Sequence, residues 1–284
     1  MSLRRREITV AGIRSPLLES GPADAREGVL FVHGNPGSSA DWEDLVRRTG
    51  ELMRATAVDM PGFGRAHKPG DFSYDVSGYA RHIAELVRTL GLSRVHLVGH
   101  DFGGIWGLAW AAEHLPSLGS LTMIDSGVLR GYRWHRYARI WRVPLLGELF
   151  NALVTSAPAR RLLLGRAAPH GVPRAHVERM LADFDRGTKR AVLRLYRSGM
   201  ARETRRAMLA SLRGYAGPVL VLWGRHDPFV PVRFAERQKG IWPRAQVVVL
   251  ADSGHWPMLD DPERTASVVL PFLREHLGRS TSLE

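Results

Sequence analysis

The amino-acid sequence predicts an α/β fold in which a mostly parallel central sheet is flanked by helices and carries an inserted helical cap. Short apolar runs alternate with helical patterns up to about residue 126 and again after residue 215, as expected when helices cover both faces of a parallel sheet. Between these positions, helical stretches are separated by glycine and proline, and no strand-like run occurs. We therefore expect a core in two parts, 1–126 and 215–284, with a cap over 127–214.

Short apolar runs of the first core part predict buried strands. They lie at 29–32, 55–58, 95–98 and 121–124. Weak alternation from Ile8 to Leu18 suggests an opening antiparallel hairpin that closes near Gly21. Apolar residues at helical spacing over 79–90 predict a helix that ends at Gly91.

The second core part resumes the alternation after the cap. Strands are predicted at 219–223 and 247–250, and an amphipathic helix follows over 262–277. Because helical segments separate these strands, we expect them to join the same parallel sheet.

The turn at Asp101 is the centre of the predicted site. The strand over 95–98 runs into Gly99-His100-Asp101-Phe102-Gly103, and a helical pattern follows directly. Strand, tight turn and helix with flanking glycines are typical of a nucleophile elbow, whose turn residue is strained. Side chains at Gly99 and Gly103 would clash where strand and helix come together. Asp101 stands where a serine would indicate ordinary acyl transfer.

Two further residues fall where a reaction at Asp101 would need them. Asp227 follows the strand over 219–223, and His255 lies in the loop after the last strand. A carboxylate that orients a histidine base is the arrangement of a catalytic triad. Asp125 also follows a strand and is the rival for the acidic position, although Trp-Gly-x-x-Asp-Pro favours Asp227.

The composition limits the classes of function. The 284 residues contain no cysteine, which excludes disulfides, thiolate metal sites and cysteine catalysis. No run of 18 apolar residues is present, so no membrane span is predicted. The basic N-terminus is not followed by the apolar stretch of a secretory signal. We expect a cytoplasmic monomer or homodimer that needs no metal or cofactor and acts on a small apolar molecule.

The net charge of +12 is concentrated in the cap. Residues 126–216 contain 19 Lys and Arg against 5 Asp and Glu, so the remainder is slightly acidic. A basic block is one feature of nucleic-acid binders, but no helix-turn-helix, zinc-finger or RNA-recognition signature accompanies it. We predict no nucleic-acid partner and interpret the block as a solvated surface, with attraction of an anionic substrate, partner or lipid left open.

Taken together, these motifs resemble the α/β-hydrolase superfamily over essentially the whole chain. The aspartate at the elbow resembles the subgroup of epoxide hydrolases and haloalkane dehalogenases. The resemblance is carried by His33-Gly34-Asn35-Pro36, Asp59-Met60-Pro61-Gly62-Phe63-Gly64, Gly99-His100-Asp101-Phe102-Gly103-Gly104, Asp227-Pro228 and Gly254-His255-Trp256.

The resemblance implies a hydrolase that works through a covalent alkyl ester. The ionised Asp101 carboxylate would attack a saturated carbon, opening an epoxide or expelling a halide. His255, oriented by Asp227, would then take a proton from the water that hydrolyses the ester. The backbone N–H groups of Asn35 and Phe102 would form the oxyanion hole.

The leaving group separates the two activities. Epoxide hydrolases usually protonate the alkoxide with two cap tyrosines, and Leu195-Tyr196-Arg197 resembles the segment that carries one of them. Tyr132 or Tyr137 would be the second, with simple packing as the alternative for each tyrosine. Asn35 departs from the aromatic residue that epoxide hydrolases often have at this position.

Haloalkane dehalogenases instead hold the halide with N–H donors. Asn35 matches one of the residues commonly used, but Phe102 stands where a tryptophan is usual and has no side-chain N–H. Trp134 or Trp141 would have to substitute. The sequence therefore favours an epoxide hydrolase that forms vicinal diols, with haloalkane dehalogenase as the alternative. An esterase-like hydrolase and a non-catalytic ligand receptor are the lesser alternatives.

Overall fold

The structure, a computed structural model, describes residues 2–153 and 168–278. One sheet contains strands β1 (Arg4–Val10), β2 (Ile13–Ser20), β3 (Glu27–Val32), β4 (Arg54–Val58), β5 (Arg94–His100), β6 (Leu118–Ile124), β7 (Val219–Gly224) and β8 (Gln246–Leu250). Their order across the sheet is β1-β2-β4-β3-β5-β6-β7-β8. The pairs β1–β2 and β2–β4 are antiparallel, and the other pairs are parallel. The predicted mostly parallel sheet is confirmed.

Helices cover the sheet, and further helices lie in the described parts of the interval between β6 and β7. The described helices are α1 (Glu43–Thr49), α2 (Val76–Thr89), α3 (Phe102–Glu113), α4 (Arg136–Arg142), α5 (Leu146–Leu153), α6 (Arg174–Ala182), α7 (Arg186–Arg197), α8 (Arg202–Arg213), α9 (Arg233–Arg237), α10 (Pro257–Asp260) and α11 (Pro262–Glu275). Helices α4 to α8 lie in the predicted cap, whose bounds of 127 and 214 stay a prediction.

The central strands are apolar because both faces of the sheet are covered. Every residue of β4, β6 and β7 is buried, as expected for a parallel sheet between two layers of helices. On one face, Ile83 of α2 and Trp106 of α3 belong to one hydrophobic cluster, which extends to Tyr196 in the cap. On the other face, Leu45 of α1 and Phe272 of α11 belong to a second cluster. The two layers hold the strand ends in fixed positions.

The opening hairpin differs from its prediction in the position of its turn. The strands β1 and β2 are joined at Ala11-Gly12, where both residues have positive φ angles of 48° and 79°. A two-residue hairpin favours such a turn because its twist matches that of the strands. The expected closure near Gly21 was wrong, because Gly21 follows the end of β2 and packs against the Met53 carbonyl.

The cap is attached to the core by ion pairs and by packing of helices. Arg179 on α6 lies 2.6 Å from the buried Asp41 carboxylate, and Lys68 lies 3.2 Å from Asp185. The α8 helix packs against α3, where Ser211 donates a hydrogen bond to the Ala112 carbonyl. Among the described helices, none has the length and apolar character needed to cross a membrane.

Candidate active site

Asp101 occupies the tight turn between β5 and α3. Its backbone angles, φ 50° and ψ −124°, are strained for a residue with a side chain. The turn is sharp enough that a Cβ atom added to Gly99 would lie 2.6 Å from the Gly104 Cα. A Cβ added to Gly103 would collide with the Val32 carbonyl at the end of β3. The glycines are therefore required for this turn, which projects the Asp101 side chain beyond the strand ends.

The two oxygens of the Asp101 carboxylate have different surroundings. Oδ1 accepts a hydrogen bond of 3.0 Å from the Asn35 backbone N–H, and the Phe102 backbone N–H also bonds the carboxylate. Oδ2 lies 3.6 Å from His255 Nε2. Burial raises the pKa of Asp101 above its ordinary value, while His255 and the two N–H groups oppose the rise. Backbone donors are thus aimed at the carboxylate of the side chain itself.

His255 is held by Asp227 on its far side. Its Nδ1 lies 2.7 Å from Asp227 Oδ2, and Asp227 Oδ1 accepts the backbone N–H groups of Phe229 and Val230 at 2.7 and 3.0 Å. Burial lowers the pKa of His255, but the carboxylates of Asp227 and Asp101 outweigh it, so the net shift is upward from 6.5. With Nδ1 committed to Asp227, Nε2 is the nitrogen that faces Asp101.

Asp125, the rival for the acidic position, lies buried behind Asp227. Its Oδ1 accepts the Gly224 backbone N–H at 3.0 Å, and its side chain is hydrogen-bonded to Asp227. Burial and the Asp227 charge raise the pKa of Asp125 well above its ordinary value. This rise favours the protonated form of Asp125. Asp227 is the one that bonds to His255.

The same three side chains could in principle hold a metal ion. Asp125, Asp227 and His255 each offer one ligand atom, and these atoms lie within 4.8 Å of one another. However, His255 Nδ1 and Asp227 Oδ2 bond each other directly at 2.7 Å. The pair therefore satisfies itself, and its geometry is that of a histidine oriented by a carboxylate.

A cavity of about 310 Å³ lies between Asp101 and the cap. From the core, Asn35, Asp101, Phe102 and His255 line it. All five predicted cap residues also line it, namely Tyr132, Trp134, Tyr137, Trp141 and Tyr196.

The polar groups of the cap residues differ in their availability to a substrate. Tyr196 is buried, and its hydroxyl oxygen accepts a hydrogen bond of 3.4 Å from Asn35 Nδ2. Because the oxygen is the acceptor in this bond, the hydroxyl hydrogen is left to be donated elsewhere. In contrast, the Tyr132 hydroxyl donates to the Phe229 carbonyl at 3.0 Å.

The role of Trp141 in holding a leaving group stays a prediction, and its indole N–H is engaged within the cap. Trp141 Nε1 donates to Asn151 Oδ1 at 2.7 Å, so only the ring of this residue serves the cavity wall. The Tyr137 hydroxyl accepts from the Arg136 guanidinium at 2.7 Å. Trp134 stacks on Phe102 with ring centroids 6.1 Å apart, which leaves it as the tryptophan candidate.

His135 is a cavity residue that the sequence did not indicate. Its Nδ1 accepts the Ala138 backbone N–H at 3.2 Å and caps α4, so the neutral ring carries its hydrogen on Nε2. Burial, together with the charge of His255, lowers the pKa of His135 to about 4. The sequence could have indicated His135 only as the N-cap residue of α4, and an N-cap position does not show that a side chain lines a cavity.

A family model described as "alpha/beta hydrolase fold" matches residues 28–262. The chain is 28% identical to a 2-hydroxymuconate semialdehyde hydrolase from Pseudomonas sp. (strain CF600), covering 95% of this chain and 94% of that protein. It is 27% identical to haloalkane dehalogenase 2 from Mycobacterium tuberculosis, covering 85% and 86%. It is 24% identical to epoxide hydrolase 3 from Xenopus tropicalis, covering 93% and 76%.

A solved structure agrees with these sequence relationships. Wild-type Cfl2 from Burkholderia cenocepacia superposes with a TM-score of 0.83 at 25% identity, covering 96% of this chain and 97% of that chain. These similar proteins match most of the length of the chain, and their names cover several hydrolytic reactions.

Proposed function

Since the chain belongs to the α/β-hydrolase fold family and is a hydrolase, we propose that it acts through a covalent ester on Asp101 and that its substrates are epoxides, which it converts to vicinal diols. The observation that carries this proposal is the environment of Asp101. The backbone N–H of Asn35 bonds Oδ1, the N–H of Phe102 also bonds the carboxylate, and Oδ2 lies towards His255. A serine enzyme would aim such donors at the carbonyl oxygen of its substrate.

In the first step, Asp101 Oδ2 attacks an epoxide carbon and forms a C–O bond while the ring C–O bond breaks. The carboxylate needs no base for this attack, because it is already ionised at neutral pH. The alkoxide that leaves takes a proton from Tyr196, whose hydroxyl hydrogen is free because its oxygen accepts from Asn35. His135 Nε2–H is the second donor on the cap side of the cavity.

In the second step, His255 Nε2 takes a proton from water, and the oxygen of that water attacks the carboxyl carbon of Asp101. Oδ1 becomes an oxyanion next to the Asn35 N–H, which already bonds it, and the Phe102 N–H is the second backbone donor at this carboxyl group. When the intermediate collapses, protonated His255 gives its proton to the departing oxygen and the diol leaves. The second proton of the water returns to Tyr196 through solvent, so the Asp101 carboxylate and neutral His255 are restored. Asp227 stabilises the charge that His255 acquires.

Haloalkane dehalogenation is the second candidate, and one observation favours it. Asn35 lines the cavity, and its Nδ2 could donate a hydrogen bond to a halide. The similarity to haloalkane dehalogenase 2 supports this candidate. A second donor would be Trp134, since the Trp141 N–H is engaged with Asn151. The hydroxyl of Tyr196 next to Asn35 supports the epoxide instead, because an alkoxide requires a proton and a halide does not.

The remaining alternatives are less well supported by the site. The similar semialdehyde hydrolase keeps an esterase-like reaction among the candidates. An ordinary acyl transfer would leave Asp101 as a poor nucleophile, because its acyl product would be an anhydride. A non-catalytic receptor would have no use for the hydrogen-bonded pair of His255 and Asp227.

The experiment that tests the proposal uses His255→Gln with His67→Gln, an exposed loop histidine, as the matched control. Both variants are mixed with an aryl epoxide and, separately, with a bromoalkane that wild-type protein converts. The first step survives without a histidine base and the second does not. We expect His255→Gln to accumulate an adduct on the peptide containing Asp101. Intact-protein mass spectrometry shows the whole epoxide for one activity and an alkyl group without halogen for the other.

Heavy-oxygen water provides the complementary measurement. During repeated turnover, wild-type protein should incorporate the label into the Asp101 carboxylate, because water attacks the carboxyl carbon. If a converted substrate produces neither adduct nor label on this peptide, the covalent mechanism is wrong, and direct attack of water on the substrate replaces it.

A further inference from the structure

A second cavity of about 710 Å³ adjoins the candidate active site. It lies between α3, the loop after β6 and the start of α8. The two cavities are neighbours, and they share lining residues, namely Phe102, Ile105, Leu129, Tyr132, Trp134 and Arg205. A substrate held at Asp101 that passed between these side chains would enter the second cavity.

The second cavity combines apolar walls with unpaired positive charge. Leu108 and Met208 continue the apolar lining. Arg130, Arg202, Arg205 and Arg206 also line it, and in the described part of the chain none of these four forms an ion pair with a carboxylate. No Asp or Glu is present among the described lining residues. By contrast, Arg197 on the outer cap surface pairs with Glu148 at 2.7 Å.

The arginines of α8 stand where a helix disfavours positive charge. Arg202, Arg205 and Arg206 fall in its first five residues, at the end where the backbone dipole is positive. Their spacing of three and four residues also brings like charges together on one face. The N-cap residue, Ala201, makes no side-chain hydrogen bond. Both effects destabilise the free helix, Glu203 in the same turn offsets part of them, and a bound anion would reduce both further.

We propose that the second cavity binds the anionic end of an amphiphilic substrate whose apolar chain reaches from Asp101 to the arginines of α8. The anion is a carboxylate or a phosphate on that chain. This inference rests on the proposed function for the identity of the reacting group, which is an epoxide at the Asp101 end. The arginine site itself depends only on the geometry of the second cavity.

The chemistry of the walls matches such a molecule from end to end. The methylene chain would lie against Ile105 and Leu129, whose burial removes apolar surface from water. Guanidinium groups bind carboxylates and phosphates through paired N–H donors. Because these arginines are largely exposed, their attraction should be partly screened and should weaken as salt is added.

The first test measures binding without turnover. Dissociation constants of decanoate, decyl phosphate and decanol are determined by calorimetry for wild-type protein and for Arg202→Gln/Arg205→Gln/Arg206→Gln. The control, Arg81→Gln/Arg244→Gln/Arg274→Gln, removes the same charge from exposed positions of the core. We expect wild type and control to bind at least one anion about tenfold or more tightly than decanol, and the α8 variant to lose that preference.

The folded state of the α8 variant is checked by thermal unfolding. Glutamine keeps the helix propensity and relieves the repulsion, so the melting temperature should stay equal or rise. If decanol binds as tightly as both anions, or if the α8 variant keeps the preference, the anionic site is wrong. Binding of one anion only identifies the headgroup.

The second test measures turnover and separates this inference from the proposed function. The substrates are 10,11-epoxyundecanoate, its uncharged methyl ester and styrene oxide. We expect kcat/KM for the acid to exceed that for the ester about tenfold in wild type, and this ratio to vanish in the α8 variant. If all three epoxides are hydrolysed and kcat/KM is equal for the acid and the methyl ester, the arginine site is wrong. The proposed epoxide activity is then still supported. Hydrolysis of none overturns the epoxide activity, and the binding test then decides the arginine site alone.

Discussion

The core wall and the cap wall of the candidate active site are built in different ways. On the core wall, Asp101, Asp227 and His255 follow strands, and backbone N–H groups hold the two carboxylates. On the cap wall, aromatic side chains from helices and loops meet the cavity. Tyr137 and Trp141 bond other cap side chains, whereas Tyr132 and Tyr196 bond groups of the core. Under the proposed mechanism, the core wall would determine the reaction, and the cap wall would select the leaving group and the substrate.

Rigidity explains this division. Strand ends inside a covered parallel sheet cannot shift without breaking ladder hydrogen bonds, so groups placed there keep their distances. The cap wall depends on side-chain packing, in which one hydroxyl can be exchanged for another without altering the fold. Substitutions on the core wall should therefore have the larger effects on rate.

Asp101→Ala should have the largest effect, because it removes the nucleophile. We expect kcat to fall by at least about 10⁴-fold. The substitution also removes a carboxylate whose burial is unfavourable, so the melting temperature should not fall substantially. Asp252→Ala, at an exposed position, is the control. An Asp101→Ala protein that keeps a large fraction of the activity would contradict the assignment.

The neighbouring acids Asp227 and Asp125 should respond differently to the same change. Asp227→Asn removes the charge that stabilises His255, and we expect kcat to fall by roughly 10³- to 10⁴-fold, as in serine proteases. Asn at 125 can still accept from Gly224 N–H and donate to Asp227, as a protonated Asp125 does. We therefore expect Asp125→Asn to stay within a few-fold of wild type.

Steady-state kinetics of these two variants decide between the acids. An Asp125→Asn protein that loses as much activity as Asp227→Asn would make Asp125 an ionised member of the catalytic group. A well-folded Asp227→Asn protein with wild-type kcat would remove Asp227 from it.

Tyr196→Phe tests the cap wall directly. Loss of the hydroxyl removes the proton donor to the alkoxide, and we expect epoxide opening to slow by roughly 10²-fold. The rate is measured in a single turnover by formation of the Asp101 ester, since only the first step uses this proton. If Tyr196→Phe forms the ester at the wild-type rate, Tyr196 only packs in the cavity wall and is not the proton donor.

The sequence predicted the core wall better than the cap wall, for a physical reason. A covered parallel strand must be apolar, so the run over 95–98 indicated β5 (Arg94–His100), and the turn residue after it followed. Glycines at the elbow are required sterically, which marked Asp101. The position of the opening turn at Ala11-Gly12 was missed because Ala at positive φ has no strong sequence signal.

The cap contacts could not be predicted because they depend on how helices pack. Trp141 and Asn151 lie ten residues apart, and nothing in the sequence joins the indole N–H to that amide. His135 likewise enters the cavity through the position of α4. The basic cap was evident from composition, but the cavity lined by arginines of α8 required the packing of α8 on α3.

The pH dependence should separate the two chemical steps. His255 must be neutral to act as a base, and its pKa is shifted upward from 6.5 in the free protein. Below that pKa the histidine is protonated, so ester hydrolysis should fall by about tenfold per pH unit. Once the ester has formed, Asp101 no longer carries a negative charge. The pKa of His255 should then be lower than in the free protein, while Asp227 continues to raise it.

The first step requires an ionised Asp101. Burial raises the pKa of this carboxyl group, but a carboxyl group ordinarily ionises at lower pH than a histidine, so we expect the first step to persist to lower pH than the second. Wild-type protein quenched during turnover at pH 5 should therefore carry more covalent ester than at pH 8, as measured by intact mass. An equal fraction of ester at both values would show that hydrolysis does not depend on a protonatable base.

Tyr132→Phe should have the smallest effect, and its comparison with Tyr196→Phe tests the division within the cap wall itself. Both tyrosines line the cavity, but the Tyr132 hydroxyl donates its hydrogen to the Phe229 carbonyl, whereas the Tyr196 oxygen accepts from Asn35. Removing the Tyr132 hydroxyl should cost about 1 kcal/mol of unfolding free energy, since a partly buried carbonyl loses its donor. Ester formation should slow by no more than about threefold, because this hydroxyl is not free to protonate an alkoxide.

Chemical denaturation and single-turnover kinetics on the two variants give both quantities. A Tyr132→Phe protein that is as stable as wild type but opens epoxides about 10²-fold more slowly would show that this hydroxyl leaves Phe229 during the reaction. The availability of a hydrogen in the resting structure would then be the wrong criterion for choosing the proton donor. Tyr196 and Tyr132 would then be the two proton donors to the alkoxide, as the sequence suggested, in place of Tyr196 and His135.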